Sequence, residues 1–148
     1  TFYALNDVVV GRGAVVQVIY VEASIDDELL TTYKADGVIV ATATGSTGYA
    51  LSAGGPILHP QAKESLLLPI LPHLGSAYTM VLPSTAVVKL RVGVTHPATL
   101  SIDGHINLPL ANGATVTVKH SSNTIRFLRI HSETSFYGSL QQKLKGKQ

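Results

Sequence analysis

Short runs of β-branched residues, each ended by glycine, proline, asparagine or aspartate, recur along almost the whole chain. Such residues pack well on a pleated surface, and turn residues at this spacing leave little room for long helices. The pattern predicts a mainly β domain of two packed layers, sandwich-like, with few short helices. The expected strands are 8–10, 15–21, 29–33, 38–43, 80–82, 87–92, 99–102, 115–118 and 125–130.

Helices are expected at three places, because few segments combine a start signal with apolar residues three or four apart. A short helix is predicted from Ser46 or Thr47 to Ser52. Two further helices are predicted at 62–68 and 136–145.

Two dipeptides in the second half predict tight turns between neighbouring strands. Asp103-Gly104 and Asn112-Gly113 both accept positive φ angles at little cost. We therefore expect the second half of the chain to run as hairpins.

The chain of 148 residues fits one domain, 1–148, and 45% of it is hydrophobic against 14% charged. A chain of this size and composition forms a real core and has apolar surface left to bury against a partner. It begins without methionine and with an apolar, aromatic triplet, which we interpret as the sign of a longer protein.

Charge and cysteine content narrow the class of partner. The net charge is +2, and the basic residues are scattered except near the end, so no nucleic-acid partner is expected. The most apolar stretch, 65–74, is interrupted by two prolines, which argues against a membrane span. The chain has no cysteine, which fits a cytoplasmic protein without disulfides.

The segment 41–56, ATATGSTGYALSAGGP, holds four glycines and six hydroxyl-bearing side chains behind a predicted strand. At the end of a strand and the start of a helix, such residues leave backbone N–H groups and hydroxyls open to a small ligand. No lysine lies between Lys34 and Lys63, so this is not the phosphate loop that requires one. The pattern favours an uncharged purine edge or ribose, and the alternative is a glycine-rich turn that only reverses the chain.

Three segments resemble the signature segments of the C-terminal domain of NAD kinases. They are ALNDVVV at 4–10, ADGVIVATATGSTGYALSAGGPILHP at 35–60, and SIDGH at 101–105. The resemblance implies the all-β, NAD-binding domain of the NAD kinase fold, preceded in that family by an α/β domain with a Gly-Gly-Asp-Gly motif. Here Gly54-Gly55 is followed by Pro56, so the catalytic aspartate and the main ATP-phosphate loop are expected on that other domain.

The resemblance assigns the adenosine half of NAD to two groups of residues. Asn6 with Asp7 matches an Asn-Glu pair that clamps the adenosine ribose, although Asp7 is one methylene shorter and would act through a water. Thr47, Gly48 and Ser52 match positions that meet the adenine. Tyr49, the next residue in the same pocket, matches a tyrosine of the family; the alternative for it is a packed core aromatic.

Two aspartates complete the implied site. Asp36 resembles a residue at the nicotinamide end, in a pocket shared with a neighbouring subunit, and its alternative is a turn before Gly37. Asp103 resembles an acidic residue near the reacting hydroxyl and is a possible contributor to catalysis, yet Asp-Gly is also what a hairpin turn requires.

The implied activity is transfer of a phosphoryl group from ATP to the adenosine 2′-hydroxyl of NAD, which gives NADP. NAD and ATP are then the substrates, a divalent metal such as magnesium is carried with ATP, and no metal is bound tightly by this chain. A homo-oligomer, dimer or tetramer, is expected, and the chain alone should bind rather than catalyse. The open alternative is an autonomous, non-catalytic nucleotide-binding β domain.

Two other chemistries receive little support. A hydrolase would need Ser46 or Ser52 with a histidine and Asp103, but no nucleophile-elbow motif is present. A metal site at Asp103 and His105 lacks a third ligand at a suitable spacing.

Overall fold

The computed structural model describes residues 1–73, 75, 78–128 and 135–146. Within them lie ten strands, a 3₁₀ helix at Thr44–Thr47 and two α-helices, α1 at Tyr49–Ser52 and α2 at Phe136–Lys145. The strands are β1 Asp7–Arg12, β2 Ile19–Ile25, β3 Glu28–Ala35, β4 Gly37–Ala41, β5 Ser65–Ile70, β6 Met80–Leu82, β7 Val87–Val92, β8 Ala98–Ile102, β9 Ile106–Leu110 and β10 Thr115–Lys119.

The described strands form two antiparallel sheets. The larger has the order β6-β5-β4-β1-β8-β9, and the smaller has the order β10-β7-β2-β3. Buried side chains of both sheets form one cluster, with Val10 and Leu67 from the larger sheet and Val21 and Leu90 from the smaller. The expectation of a mainly β domain with two packed layers is therefore confirmed.

The larger sheet is also covered on its outer face. A second buried cluster there contains Val9, Ile39, Leu68 and Ala50 of α1. Successive side chains of a strand point to opposite faces, so Leu67 of β5 enters the core between the sheets while Leu68 supports α1. Every residue of β4 and β5 is buried as a result.

This double burial explains one wrong prediction, the helix at 62–68. The segment is instead β5, Ser65–Ile70, which lies between β6 and β4 in the larger sheet. A strand that is buried on both faces is a continuous apolar run, and periodicity alone does not separate such a run from a buried helix.

Two strand predictions also differ from the structure, and one further strand was not predicted. The strand predicted at 15–21 begins only at Ile19, because Val15 and Val16 lie in an exposed turn. β9 was not predicted, because it contains Pro109; it is an edge strand, where a missing backbone donor is tolerated. Of the strand predicted at 125–130, residues 125–128 have no regular secondary structure, and residues 129 and 130 lie outside the described residues.

Two of the three predicted helices and both predicted turns are present in the structure. The first helix is present as the 3₁₀ helix and α1, and the predicted helix at 136–145 is α2. Asp103-Gly104 forms a hairpin turn between β8 and β9, with φ angles of 51° and 74°. Asn112-Gly113 forms a turn that leads from β9 in one sheet to β10 in the other, so it does not make a hairpin.

Candidate functional site

Three segments of the larger sheet meet at one of its ends. β1 is flanked by β4 and β8, with Asp7 opposite Ala41 and Val8 opposite Ile102. Because both neighbours are antiparallel to β1, the start of β1 lies beside the end of β4 and the end of β8. The residues just outside these strands, including Asn6 and Asp103, are thereby brought together.

A cavity of about 520 Å³ opens at this end of the sheet. Six of the predicted site residues line it: Asn6, Asp7, Thr47, Gly48, Tyr49 and Asp103. Val9, Thr44, Gly45, Ser101 and Gly104 complete the lining. Residues that are distant in sequence therefore form one concave surface of backbone, hydroxyl, amide and carboxylate groups.

Two predicted site residues lie outside this cavity. Ser52 is exposed at the end of α1, where its N–H donates to the Gly48 carbonyl over 3.4 Å. Asp36 precedes β4, at the opposite end of that strand from the cavity, and forms an ion pair of 3.5 Å with Arg12. Their roles in ligand binding remain predictions.

The carboxylate of Asp103 holds the backbone in front of β1. Its Oδ1 accepts hydrogen bonds from the N–H groups of Asn6 and Asp7 at 2.7 and 3.1 Å. Its Oδ2 accepts one from the Leu5 N–H at 2.8 Å. A single side chain from the β8–β9 turn thus satisfies three consecutive backbone donors.

The opposite side of the same segment is held by the residues after β4. The Thr42 hydroxyl donates to the Leu5 carbonyl over 2.7 Å, and the Thr42 N–H donates to the Asn6 carbonyl over 2.9 Å. Thr42 also accepts from the Gly45 N–H over 3.1 Å. At Gly45 the chain approaches so closely that a Cβ atom would lie 2.0 Å from the Asn6 carbonyl oxygen.

Thr42 and Gly45 are the functional positions that sequence reasoning did not single out. The glycine-rich run marked the neighbourhood, but the residue against which Gly45 packs lies far away in sequence. Close backbone approach is a common reason for a glycine, and here the approach is to the main chain of Asn6.

Ser46 lies beside the cavity but is completely buried. Its hydroxyl donates to the Ala43 carbonyl over 2.7 Å and accepts from the Leu58 N–H over 2.9 Å. The hydroxyl ties the segment after α1 to the 3₁₀ helix. A hydrolase nucleophile needs an accessible hydroxyl beside a base, so the geometry argues against that role for Ser46.

Asp7 and Asp103 have opposite electrostatic environments. Burial raises the pKa of Asp7, and the nearby charge of Asp103 raises it further. Burial also acts to raise the pKa of Asp103, but the hydrogen bonds from Leu5, Asn6 and Asp7, with the charge of His105, outweigh it, so that pKa is lowered. The pair therefore favours a charged Asp103 beside an Asp7 that gives up its proton less readily.

This pair predicts a pH-dependent effect of Asp7→Asn on stability. A carboxyl whose pKa is raised in the folded state contributes to the free energy of unfolding. This contribution is fully present below the pKa of the unfolded state, about 3.9, and is lost as the pH rises through the pKa of the folded state. Asparagine mimics the neutral form and escapes this loss. In thermal unfolding of the full-length protein, the variant should gain stability relative to the parent from acid to neutral pH.

Asp103 contributes to the pH dependence of stability in both proteins. Its pKa is lowered, so its contribution has the opposite sign: it is present above the unfolded-state value and is lost as the pH falls. A difference between variant and parent that does not change with pH would contradict the assignment for Asp7.

A second cavity, of about 560 Å³, adjoins the same residues. Asp7, Thr44 and Asp103 line both cavities, and Phe127 and other apolar residues form much of the second one. Asp7 and Asp103 therefore lie between two adjoining cavities.

Residues 1–73, 75, 78–128 and 135–146 contain neither a candidate metal centre nor a candidate membrane-spanning helix. Within these ranges no group of three or more histidine, aspartate or glutamate side chains is placed to hold a metal ion. The helices there are all too short or too polar to cross a bilayer.

The fold and the site together define a two-sheet β domain with a polar cavity built from glycine, hydroxyl and carboxylate residues. Residues 5–130 match the family model described as the ATP-NAD kinase C-terminal domain. The chain belongs to the NAD kinase family, as the resemblance of its three segments predicted.

Curated relatives agree with this family. The chain is 52% identical over 145 residues to an NAD kinase of Dehalococcoides mccartyi strain BAV1, covering 98% of this chain and 51% of the relative. It is 45% identical over 142 residues to an NAD kinase of Chloroflexus aggregans, covering 96% of this chain and 51% of the relative. The chain thus spans about half the length of these relatives.

Solved structures agree as well. A yeast NADH kinase complexed with NADH has a TM-score of 0.73 and 35% identity, covering 82% of this chain and 36% of that one. An NAD kinase from Archaeoglobus fulgidus in complex with ATP has a TM-score of 0.74 and 29% identity, covering 80% of this chain and 46% of that one.

Proposed function

We propose that the protein is an NAD kinase and that this chain supplies its NAD-binding part. The observation that carries the proposal is the cavity in which six residues assigned to the site come together from three distant segments. Family membership, with relatives at up to 52% identity, supports the same activity. The reaction joins the adenosine 2′-oxygen of NAD to the γ-phosphorus of ATP, releases ADP and gives NADP.

Within the cavity, we assign the adenosine half of NAD to two sides. Asn6, whose backbone is held on both sides, contacts the ribose hydroxyls, and Asp7 acts on them through a water. Thr47 and the backbone of Gly48 face the adenine edge, with Tyr49 beside them. The yeast NADH kinase with bound NADH, which covers 82% of this chain, supports a dinucleotide as the ligand.

The two predicted residues outside the cavity have more distant roles in this proposal. Ser52 reaches the adenine from the end of α1, one helical turn from Gly48. Asp36 resembles the family's residue at the nicotinamide end, and because it lies at the opposite end of β4 from the cavity, we assign it to NAD bound in a neighbouring subunit. This assignment requires a homo-oligomer, a dimer or tetramer. Sedimentation of the full-length protein tests it. We also propose a cytoplasmic location, which the absence of cysteine fits.

We assign the site of the phosphoryl donor to residues other than those that line this cavity. We propose that ATP, with its divalent metal carried as part of the substrate, binds mainly to an N-terminal α/β domain with a Gly-Gly-Asp-Gly motif. The ATP complex of the Archaeoglobus relative supports ATP as the donor. The residues of this chain bind and orient the ribose for in-line attack, so the chain alone should bind rather than catalyse.

The test is NADP formation from NAD and ATP by the full-length protein. We expect product with NAD and none with its analogue that lacks the adenosine 2′-hydroxyl. Asn6→Ala removes a hydrogen bond to the ribose, about 1–3 kcal/mol, which is roughly 5- to 150-fold in NAD affinity. The matched control is Asn107→Ala, an exposed asparagine in β9 outside the cavity, which should behave as the parent.

The results separate the kinase from the alternative of a non-catalytic nucleotide-binding domain. NAD binding without any NADP formation by the full-length protein would favour the binding domain. Equal loss from Asn6→Ala and Asn107→Ala would show that the cavity is not the ribose site.

A further inference from the structure

We propose that Asp103 is a positioning residue for the adenosine of NAD, which acts through the backbone of Asn6 rather than as the base for the reacting hydroxyl. This inference rests on the proposed function. It goes beyond that function because it assigns a carboxylate that lines the cavity to holding a binding residue in place. The hydrogen bonds of residues 5–7 carry it.

Both oxygens of the Asp103 carboxylate are already engaged. Oδ1 accepts from the N–H groups of Asn6 and Asp7, and Oδ2 accepts from the N–H of Leu5. A carboxylate has about four lone-pair sites, so three of them are occupied by backbone donors and one, on Oδ2, is left. Three short contacts to backbone donors also make the carboxylate a weaker proton acceptor than a free one.

The position of Asp103 is itself fixed by the β8–β9 turn. Its φ is 51°, Gly104 follows with a φ of 74°, and the His105 N–H closes the turn on the Ile102 carbonyl over 3.2 Å. The Asp103 N–H donates to the Asp7 carbonyl over 3.0 Å, which extends the pairing of β1 and β8 by one step. The carboxylate therefore lies on a rigid hairpin beside the start of β1.

The backbone of Asn6 is held from both directions. Its N–H donates to Asp103, and its carbonyl accepts from the Thr42 N–H and packs against Gly45. Its side chain lines the cavity. With the main chain held, the direction of the Cα–Cβ bond of Asn6 is set before any ligand binds, and a preorganised contact costs less ordering on binding.

The test is a double-mutant cycle on NAD binding, measured by calorimetry with the full-length protein and no ATP. Asp103→Asn suits it because asparagine tolerates a positive φ but replaces one acceptor oxygen with a donor group. Alone, the variant should bind NAD roughly tenfold more weakly, within the range for residues of one network. In an Asn6→Ala background the same change should have almost no further effect.

Steady-state kinetics distinguish a positioning residue from a general base, because the two roles affect kcat and kcat/KM differently. A positioning role predicts a larger fall in kcat/KM for NAD than in kcat at saturating NAD. Parent-like NAD binding with a fall in kcat of about two orders of magnitude, the size of a general-base contribution, would overturn the proposal. Additive losses in the cycle would overturn it as well. A parent protein that binds no NAD would refute the proposed function itself.

Amide hydrogen exchange keeps the inference testable if Asp103→Asn does not fold. In the full-length parent, the amides of Leu5, Asn6 and Asp7 should exchange slowly, because each is hydrogen-bonded to Asp103. Val15 and Val16, which lie in an exposed turn, should exchange fast and serve as the reference. Exchange at residues 5–7 as fast as at this reference would overturn the proposal.

Discussion

Gly45→Ala is expected to destabilise the protein by about 3 kcal/mol or more, because the added methyl group overlaps fixed backbone. An ideal Cβ at Gly45 would lie 2.0 Å from the Asn6 carbonyl oxygen and 2.5 Å from its carbonyl carbon. No side-chain rotation relieves this overlap, since both partners are main chain. Urea unfolding of the full-length protein measures the effect, and NAD affinity should fall with it because Asn6 must move.

Gly48→Ala is the matched control. Gly48 is the other glycine of the same turn, its φ is −97°, and its nearest neighbour for a Cβ is the Gly45 carbonyl oxygen at 3.4 Å. A methyl group there needs only a small adjustment, so the stability should remain within about 0.5 kcal/mol of the parent, apart from helix-end effects. Equal unfolding of Gly45→Ala and parent would show that the close approach to Asn6 is not required.

Leu68→Ala and Leu67→Ala are expected to cost about 2–5 kcal/mol each, yet to differ in their effect on NAD binding. Both leucines are fully buried neighbours on β5, but they enter different clusters. Leu68 lies on the outer face with Ala50 of α1, and its Cδ1 would be 3.1 Å from a Cβ at Gly55. Loss of its side chain therefore loosens the support under α1 and the glycine-rich turn.

The pair separates general stability from support of the site. Unfolding of the full-length protein gives the loss of stability, and NAD titration at a temperature where both variants remain folded gives the affinity. We expect weaker NAD binding by Leu68→Ala and parent-like binding by Leu67→Ala, which changes only the core between the sheets. The opposite order would contradict the role of the outer cluster.

The two-layer fold could be predicted because most strands have one buried and one solvated face. β7 and β8 show this alternation in their burial, and both were predicted within one residue of their bounds. β5 was not recognised, because a strand covered on both faces loses the alternation and its residues are mainly leucines; β4 is equally buried, but its β-branched residues indicated a strand. β9 was missed because it contains Pro109, and a proline is acceptable in this strand only because the strand lies at the edge of the sheet.

The site could be predicted only in part. The glycine and hydroxyl run indicated a ligand cradle, and the resemblance to NAD kinases added Asn6, Asp7 and Asp103 from other segments. The way in which Thr42 and Asp103 hold Asn6 could not be foreseen, because it depends on contacts between residues 36 and 97 positions apart. Such contacts follow from the order of β4, β1 and β8 in the sheet, which local sequence patterns do not specify.

The most direct test of the central claim is a crystal structure of the full-length protein with NAD bound and ATP left out. We predict the adenosine of NAD in the 520 Å³ cavity, with its ribose at the Asn6 side chain and its adenine beside Thr47, Gly48 and Tyr49. Density for the adenosine elsewhere, with Asn6 and residues 47–49 free of contact to it, would contradict the account.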